Sequence, residues 1–187
     1  MASWSEFAAD EPRLARSIRH LIQQYGPGLG YLATVRADGG PRVHPVSPVI
    51  TDEGLFCFVV DSPKRRDLER DGRYALHSFP PEDSDDEAYL AGHAHPVTDP
   101  ARVARLATSL RAAPGVDWRL FEFSVDVAML TRRGGGGEPM GVQIWFDPAG
   151  AERPTGSRDA PARRRIRSAV PATETPARAL DMPVPAP

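Results

Sequence analysis

Apolar residues between positions 10 and 25 recur at the one-sided spacing of an amphipathic helix, with Leu14, Ile18, Leu21, Ile22 and Tyr25 on a common face. Asp10 is placed to cap it, Pro12 falls in its first turn, and Gly26-Pro27-Gly28 ends it. The period then shortens to two. Leu29 to Ala37, Arg42 to Thr51 and Leu55 to Val60 read as strands, separated by the turn-forming runs Asp38-Gly39-Gly40-Pro41 and Asp52-Glu53-Gly54. A short helix from Pro63 to Asp71 is bracketed by Ser62 as N-cap and Gly72 as stop. Arg73 to Phe79 and Ala88 to Thr98 are the next strands, joined by the acidic loop Pro80 to Glu87. Asp99-Pro100 opens a third helix with Val103, Leu106, Ala107 and Leu110 on one side, ending near Pro114-Gly115. Two last strands, Leu120 to Thr131 and Met140 to Phe146, flank a loop with four consecutive glycines. Strands and helices do not alternate as in a parallel α/β sheet. The expected architecture is mainly β with helices (α+β): an antiparallel barrel, closed or nearly so, with helices over its open sides.

Composition divides the chain in two. Of its 187 residues, 151–187 contain no aromatic side chain, frequent proline, and seven arginines against four carboxylates. Such a segment buries too little apolar area to offset the entropy of ordering, so residues 1–150 are expected to fold and 151–187 to form a disordered Pro/Arg/Ala-rich tail. The tail carries a net +3 of the chain's overall −2, which leaves −5 on the body. An acidic body argues against nucleic-acid binding. Cys57 is the only cysteine, so an intramolecular disulfide or a cysteine-based zinc site is excluded. The N-terminus lacks the apolar stretch of a signal peptide, and the longest apolar run, Leu55 to Val60, is far shorter than the roughly 20 residues of a membrane span. A cytoplasmic location without membrane contact is expected.

Two segments carry candidate chemistry. In Asp61-Ser62-Pro63-Lys64-Arg65-Arg66-Asp67-Leu68 a strand ends, a hydroxyl residue caps a helix, and three cations lie in its first turn. The helix dipole opposes cations there unless an anion is present, so this placement suits a phosphate monoester; the alternative is an ordinary capped helix with solvated charges. Lys64 stands out further as the only lysine among 23 basic residues, because an ammonium and a guanidinium are not interchangeable at a ligand site. The second segment is Pro41-Arg42-Val43-His44-Pro45-Val46-Ser47-Pro48, where internal prolines leave backbone groups without a sheet partner, free to meet the edge of a planar heterocycle or merely to blunt an edge strand. His93-Ala94-His95 directs two imidazoles to one face of a strand, but no further ligand falls at a metal-site spacing, and no metal is expected. Neither GxGxxG nor GxxxxGK occurs, and no Ser-His-Asp or Cys-His grouping is singled out.

Several of these residues together resemble a known family. Leu32-Ala33-Thr34-Val35, Asp38-Gly39, Pro41-Arg42-Val43, Leu55 to Val60, Ser62-Pro63-Lys64, Asp67-Leu68, Asp71-Gly72-Arg73 and Gly92-His93-Ala94 look like the pyridoxamine 5′-phosphate oxidase-like, FMN-binding split-barrel family over roughly residues 10–147. The resemblance implies an FMN-dependent oxidoreductase acting on a small molecule, with Ser62, Lys64 and Arg65 at the flavin phosphate. It also implies that Arg42, Val43, His44, Pro45 and Val46 run along the isoalloxazine, and that Val60 and Asp61 border the ribityl chain. It further implies a homodimer with the cofactor at the interface, where Gln143 and Trp145 match loosely an aromatic segment that reaches the partner's cofactor. This sequence lacks the family's C-terminal Arg-Leu-His-Asp-Arg substrate motif and has Pro45, Val46 and Ser47 where the true oxidase carries a phosphate-binding lysine. Vitamin B6 oxidation is therefore not the expected activity, and no catalytic acid or base is named. A related branch uses the deazaflavin F420 with a similar K-x-x-x-L helix start, here Lys64 and Leu68. Other relatives bind haem or carry flavin without catalysis.

Overall fold

In a computed structural model of the chain, residues 1–26, 28–82, 84–110, 112–132 and 141–152 are described. The glycine-rich loop and nearly all of the segment expected to be a disordered tail lie outside them. The first helical region is two helices rather than one: α1, Trp4–Asp10, and α2, Pro12–Gln23. A capping box starts α1, with the Ser3 hydroxyl accepting from the Glu6 N–H and the Glu6 carboxylate from the Ser3 N–H. The helical residues that follow begin at Pro12 with Glu11 at the cap position, so Asp10 closes α1 instead of capping α2.

Nine strands follow in one antiparallel system. They are β1 Gly30–Val35, β2 Pro41–Val46, β3 Val49–Thr51, β4 Gly54–Val60, β5 Arg73–Ser78, β6 Glu87–Pro96, β7 Trp118–Phe123, β8 Val127–Arg132 and β9 Gly141–Phe146. Helix α3, Pro63–Arg70, joins β4 to β5, and α4, Pro100–Ser109, joins β6 to β7. Seven strands were expected; the two additional ones come from breaks at Ser47-Pro48 and at 124–126. The strand order is β2-β1-β5-β6-β7-β4-β3, with β8 also on β6 and β9 beyond it.

The split in the barrel lies along β6. Its Glu87–Ala91 half pairs with β8 and its Ala94–Pro96 half with β7, so one long strand serves two sheets. Gly92 marks the changeover: a Cβ there would stand 2.1 Å from the Ser124 carbonyl oxygen. Ser124 fills the junction, its hydroxyl bonded to the His93 backbone and its carbonyl accepting from the buried Tyr74 hydroxyl.

The core lies between the inner sheet face and α1 and α2, and includes Phe7, Ile18, Ile22, Leu32, Leu76 and Leu90. A smaller cluster of Phe56, Leu106 and Leu120 is closed by α4. The opposite face of the β2-β1-β5-β6-β8-β9 sheet is different. Register places Val43, Ala33, Ala75, Ala91, Val127 and Phe146 in a single row across these six strands, every one of them apolar. No member of the row is buried, and its two ends are 60% (Val43) and 65% (Phe146) exposed.

Candidate functional site

The site grows from the way β2 meets the start of α3. Alternation along β2 turns Arg42, His44 and Val46 to one side and Val43 and Pro45 to the other. Val46 joins the core, whereas Val43 and Pro45 are exposed on the open face. Pro41 and Pro45 have no N–H, and β2 is accordingly an edge strand paired only with β1. Across the strand, the Lys64 ammonium donates to the Pro45 carbonyl at 3.3 Å and so spans from α3 to β2.

A second link runs deeper. Asp67, on the inward side of α3, is 4% exposed and accepts from three elements: the Thr34 hydroxyl of β1 at 3.0 Å, Arg42 Nε of β2 at 2.7 Å, and Arg70 Nη1 of its own helix at 3.3 Å. Burial alone would raise the pKa of Asp67, but the hydrogen bonds from Arg42, Thr34 and Arg70 outweigh it and hold the carboxyl below the usual carboxylate range. Arg42 spends only its Nε on this pairing; no partner for its two terminal amino groups is found among the described residues. Beside it on β2, His44 Nε2 is buried and without a hydrogen-bond partner among the described residues. A buried polar nitrogen left unmatched is costly, and a ligand atom would relieve that cost.

Other expected site residues fall into two groups. Val60, Asp61 and Ser62 lead into α3 as expected in position, with Val60 exposed and the Ser62 hydroxyl donating to the Val60 carbonyl at 2.9 Å rather than capping the helix. Arg65 donates to Glu69 and Asp117, and Arg66 to Asp61, so carboxylates of this chain already neutralise two of the three first-turn cations. The dipole argument for an anion therefore narrows to Lys64. The second group is β9. Gln143 is exposed, but Trp145 is buried, its ring 4.8 Å from Phe7 and its Nε1 donating to Asp10 at 2.6 Å. Trp145 is thus a core residue of its own chain. The outward-facing aromatic of β9 is its neighbour Phe146, because a one-residue offset moves a strand side chain to the opposite face. β9 and β2 are also the two edges of the six-strand sheet, so Gln143 and the Arg42–Lys64 region are not neighbours along it.

Asp67 is among the residues that carry the family resemblance, but its role is not legible in the sequence. The signal available was a carboxylate beside Leu68 on the buried side of a short helix, a position that needs a cationic partner elsewhere in the chain. On the open face, the rings of His93 and His95 stack at 6.4 Å, and His93 Nδ1 lies 3.3 Å from Asp126 Oδ2. No grouping of three or more metal-ligating side chains occurs among the described residues.

An antiparallel barrel split along one shared strand, with Arg42 and His44 on the edge strand and Lys64 at the start of the helix beside it, defines a split-barrel protein. The sequence profile described as pyridoxamine 5′-phosphate oxidase matches residues 14–131, well over half of the chain. The chain belongs to that family. No curated protein sequence matches it. Among solved structures, a haem-binding protein from Mycobacterium smegmatis is similar at 23% identity and a TM-score of 0.50, over 68% of this chain and 57% of that one. HupZ of Group A Streptococcus is similar at 19% identity and a TM-score of 0.54, over 66% and 98%. ChuZ of Campylobacter jejuni is similar at 9% identity and a TM-score of 0.53, over 63% and 55%. These likenesses are ones of fold, and the fold is the split barrel. No helix among the described residues is long and apolar enough to cross a membrane.

Proposed function

We propose that the chain binds FMN and acts as a flavin-dependent oxidoreductase on a small molecule, with the flavin phosphate held by Arg42, His44 and Lys64. The observation that carries this reading is the unspent hydrogen-bonding capacity of the β2 rim among the described residues: two guanidinium amino groups and a buried imidazole nitrogen without a partner there, and an ammonium with a single one. Arginine offers a planar fork and lysine a point charge, a donor set suited to phosphate oxygens. Ser62 and the exposed Val60 extend the same rim, while Arg65 is already committed to carboxylates. Bound flavin would supply the hydride or electron transfer, and the chain's residues bind and orient it.

The apolar row across the open sheet face supports a homodimer, since a continuous uncovered apolar patch favours association. A second copy would also bring Gln143 and Phe146 from one β9 edge to a site that the β2 edge of its own chain does not share. A second reading is haem binding, supported by the His93–Asp126 pair: an imidazole tied at Nδ1 to a carboxylate has its tautomer fixed and Nε2 available to iron. The visible spectrum of the purified protein and the mass of its released chromophore separate these readings. Flavin absorption with FMN recovered is the expected result; a Soret band or a deazaflavin would replace the FMN reading, and a colourless protein that takes up none of the three would remove it.

A further inference from the structure

We infer that Asp67 is the positioning residue of this site: its buried carboxylate grips Arg42 by Nε alone, and so fixes the guanidinium with both terminal amino groups free to hold an anion. The inference rests on the reading of the β2 rim as a phosphate site. Three facts carry it. Asp67 is the only carboxylate that Arg42 contacts among the described residues, and the 2.7 Å contact uses the one guanidinium nitrogen that faces back along the side chain. The same Oδ2 accepts from Thr34, and Oδ1 from Arg70, so the carboxylate is clamped by two further donors and cannot swing to follow Arg42. Arg70 is itself tied to the Val35 carbonyl, which fastens the clamp to β1.

The arrangement differs from the bidentate ion pairs of this chain in what it leaves undone. Arg102 meets Glu122, and Arg105 meets Glu53, with two parallel hydrogen bonds from the terminal amino groups, which leaves neither guanidinium its outer edge. Asp67 instead takes one nitrogen of Arg42 and spends its remaining capacity on Thr34 and Arg70. The outcome is a guanidinium that is anchored, partly desolvated at 29% exposure, and still able to donate from its outer edge. Holding a cationic fork still before the anion arrives removes part of the ordering cost of binding. Asp67 also sits one turn beyond Lys64 on α3, so the same residue that aims Arg42 sets the spacing between β2 and the lysine.

The test uses Asp67→Asn, Arg42→Ala and the double variant of the full-length chain, with FMN and inorganic phosphate as probes. Each single variant is expected to weaken FMN by about tenfold, and Asp67→Asn is expected to add little in the Arg42→Ala background, because it acts through Arg42. Equal, additive losses would overturn the inference, as would unchanged affinity in Asp67→Asn. Independently of any ligand, the Arg42 Nε–H resonance, assigned by its disappearance in Arg42→Ala, is expected to exchange slowly in the wild type and to be lost to fast exchange in Asp67→Asn. If that resonance is unaffected, Asp67 does not position Arg42. If wild-type protein binds neither probe, the flavin reading fails, and with it the role of Asp67 in binding. The resonance then still decides whether Asp67 holds Arg42.

Discussion

Lys64 and Asp67 lie one turn apart on α3, yet only the first has a role legible in the sequence. A lone lysine in an arginine-rich chain, just after a strand and a helix-capping serine, draws attention without any fold. Asp67 belongs to a motif of the family resemblance but its role is unmarked, because that role depends on Arg42 and Thr34, which come from strands far off in the chain. Arg42, as part of Pro41-Arg42-Val43, was readable; the direction its guanidinium faces was not. If Lys64 holds the flavin phosphate, Lys64→Ala weakens FMN by about 1–3 kcal/mol, the range of a charged hydrogen bond, as measured by fluorescence quenching of the flavin. Unchanged affinity would make the lysine a bystander. Asp67 predicts a pH dependence whose sign follows from its lowered pKa. Its stabilising contribution is fully present above the ordinary aspartate range and is lost as pH falls through the lower folded-state value. Wild-type protein therefore loses melting temperature on acidification below about pH 4, and Asp67→Asn loses less over the same interval. Cys57, by contrast, is a packing residue. Burial pushes its thiol up to about 12, so a disulfide reagent at neutral pH is expected to label it only after denaturant is added.

At the scale of elements, turns were the readable part. Gly39 and Gly72 both have positive φ, and the hairpin and helix end they were expected to form are present. The β-strands around them begin and end within a few residues of the expected positions. What the pattern concealed was interruption. Apolar alternation runs on through 47–48 and 124–126, yet at both places the backbone changes neighbours, because partner choice is set by the whole sheet and not by local period. Helix α1 was missed for a different reason: seven residues are too few to show a 3.6 period, although Ser3 and Glu6 spell the capping box. Gly92 makes the changeover of β6 physically testable. Gly92→Ala places a methyl against the Ser124 carbonyl, which is backbone and cannot rotate away, and is expected to destabilise the protein by about 3 kcal/mol in denaturant titration. A glycine with no described atom near its Cβ position, such as Gly141, should tolerate the same change.

For the molecule as a whole, the acidic body and the mainly β architecture were visible from the sequence, whereas the uneven use of the two sheet faces was not. Residues such as Ala33, Ala75 and Ala91 look alike on paper whether they face a helix or nothing, and only the register puts them in one uncovered row. If a second copy covers that row, Ile144→Asp combined with Phe146→Asp should yield a monomer by light scattering and release the flavin with it, since both side chains are more than half exposed and lie on the open face. A dimer that survives the double substitution would place the interface elsewhere. The scarcity of lysine has one more use. Lys64 holds the molecule's only side-chain amine, half-buried and resting on a carbonyl of β2, so a lysine-specific protease has one bond to cut, between Lys64 and Arg65, and an amine-directed label has one side chain to find. The rim thereby carries its own reporter: occupancy can be read as protection of a single peptide bond, without knowing in advance what occupies it.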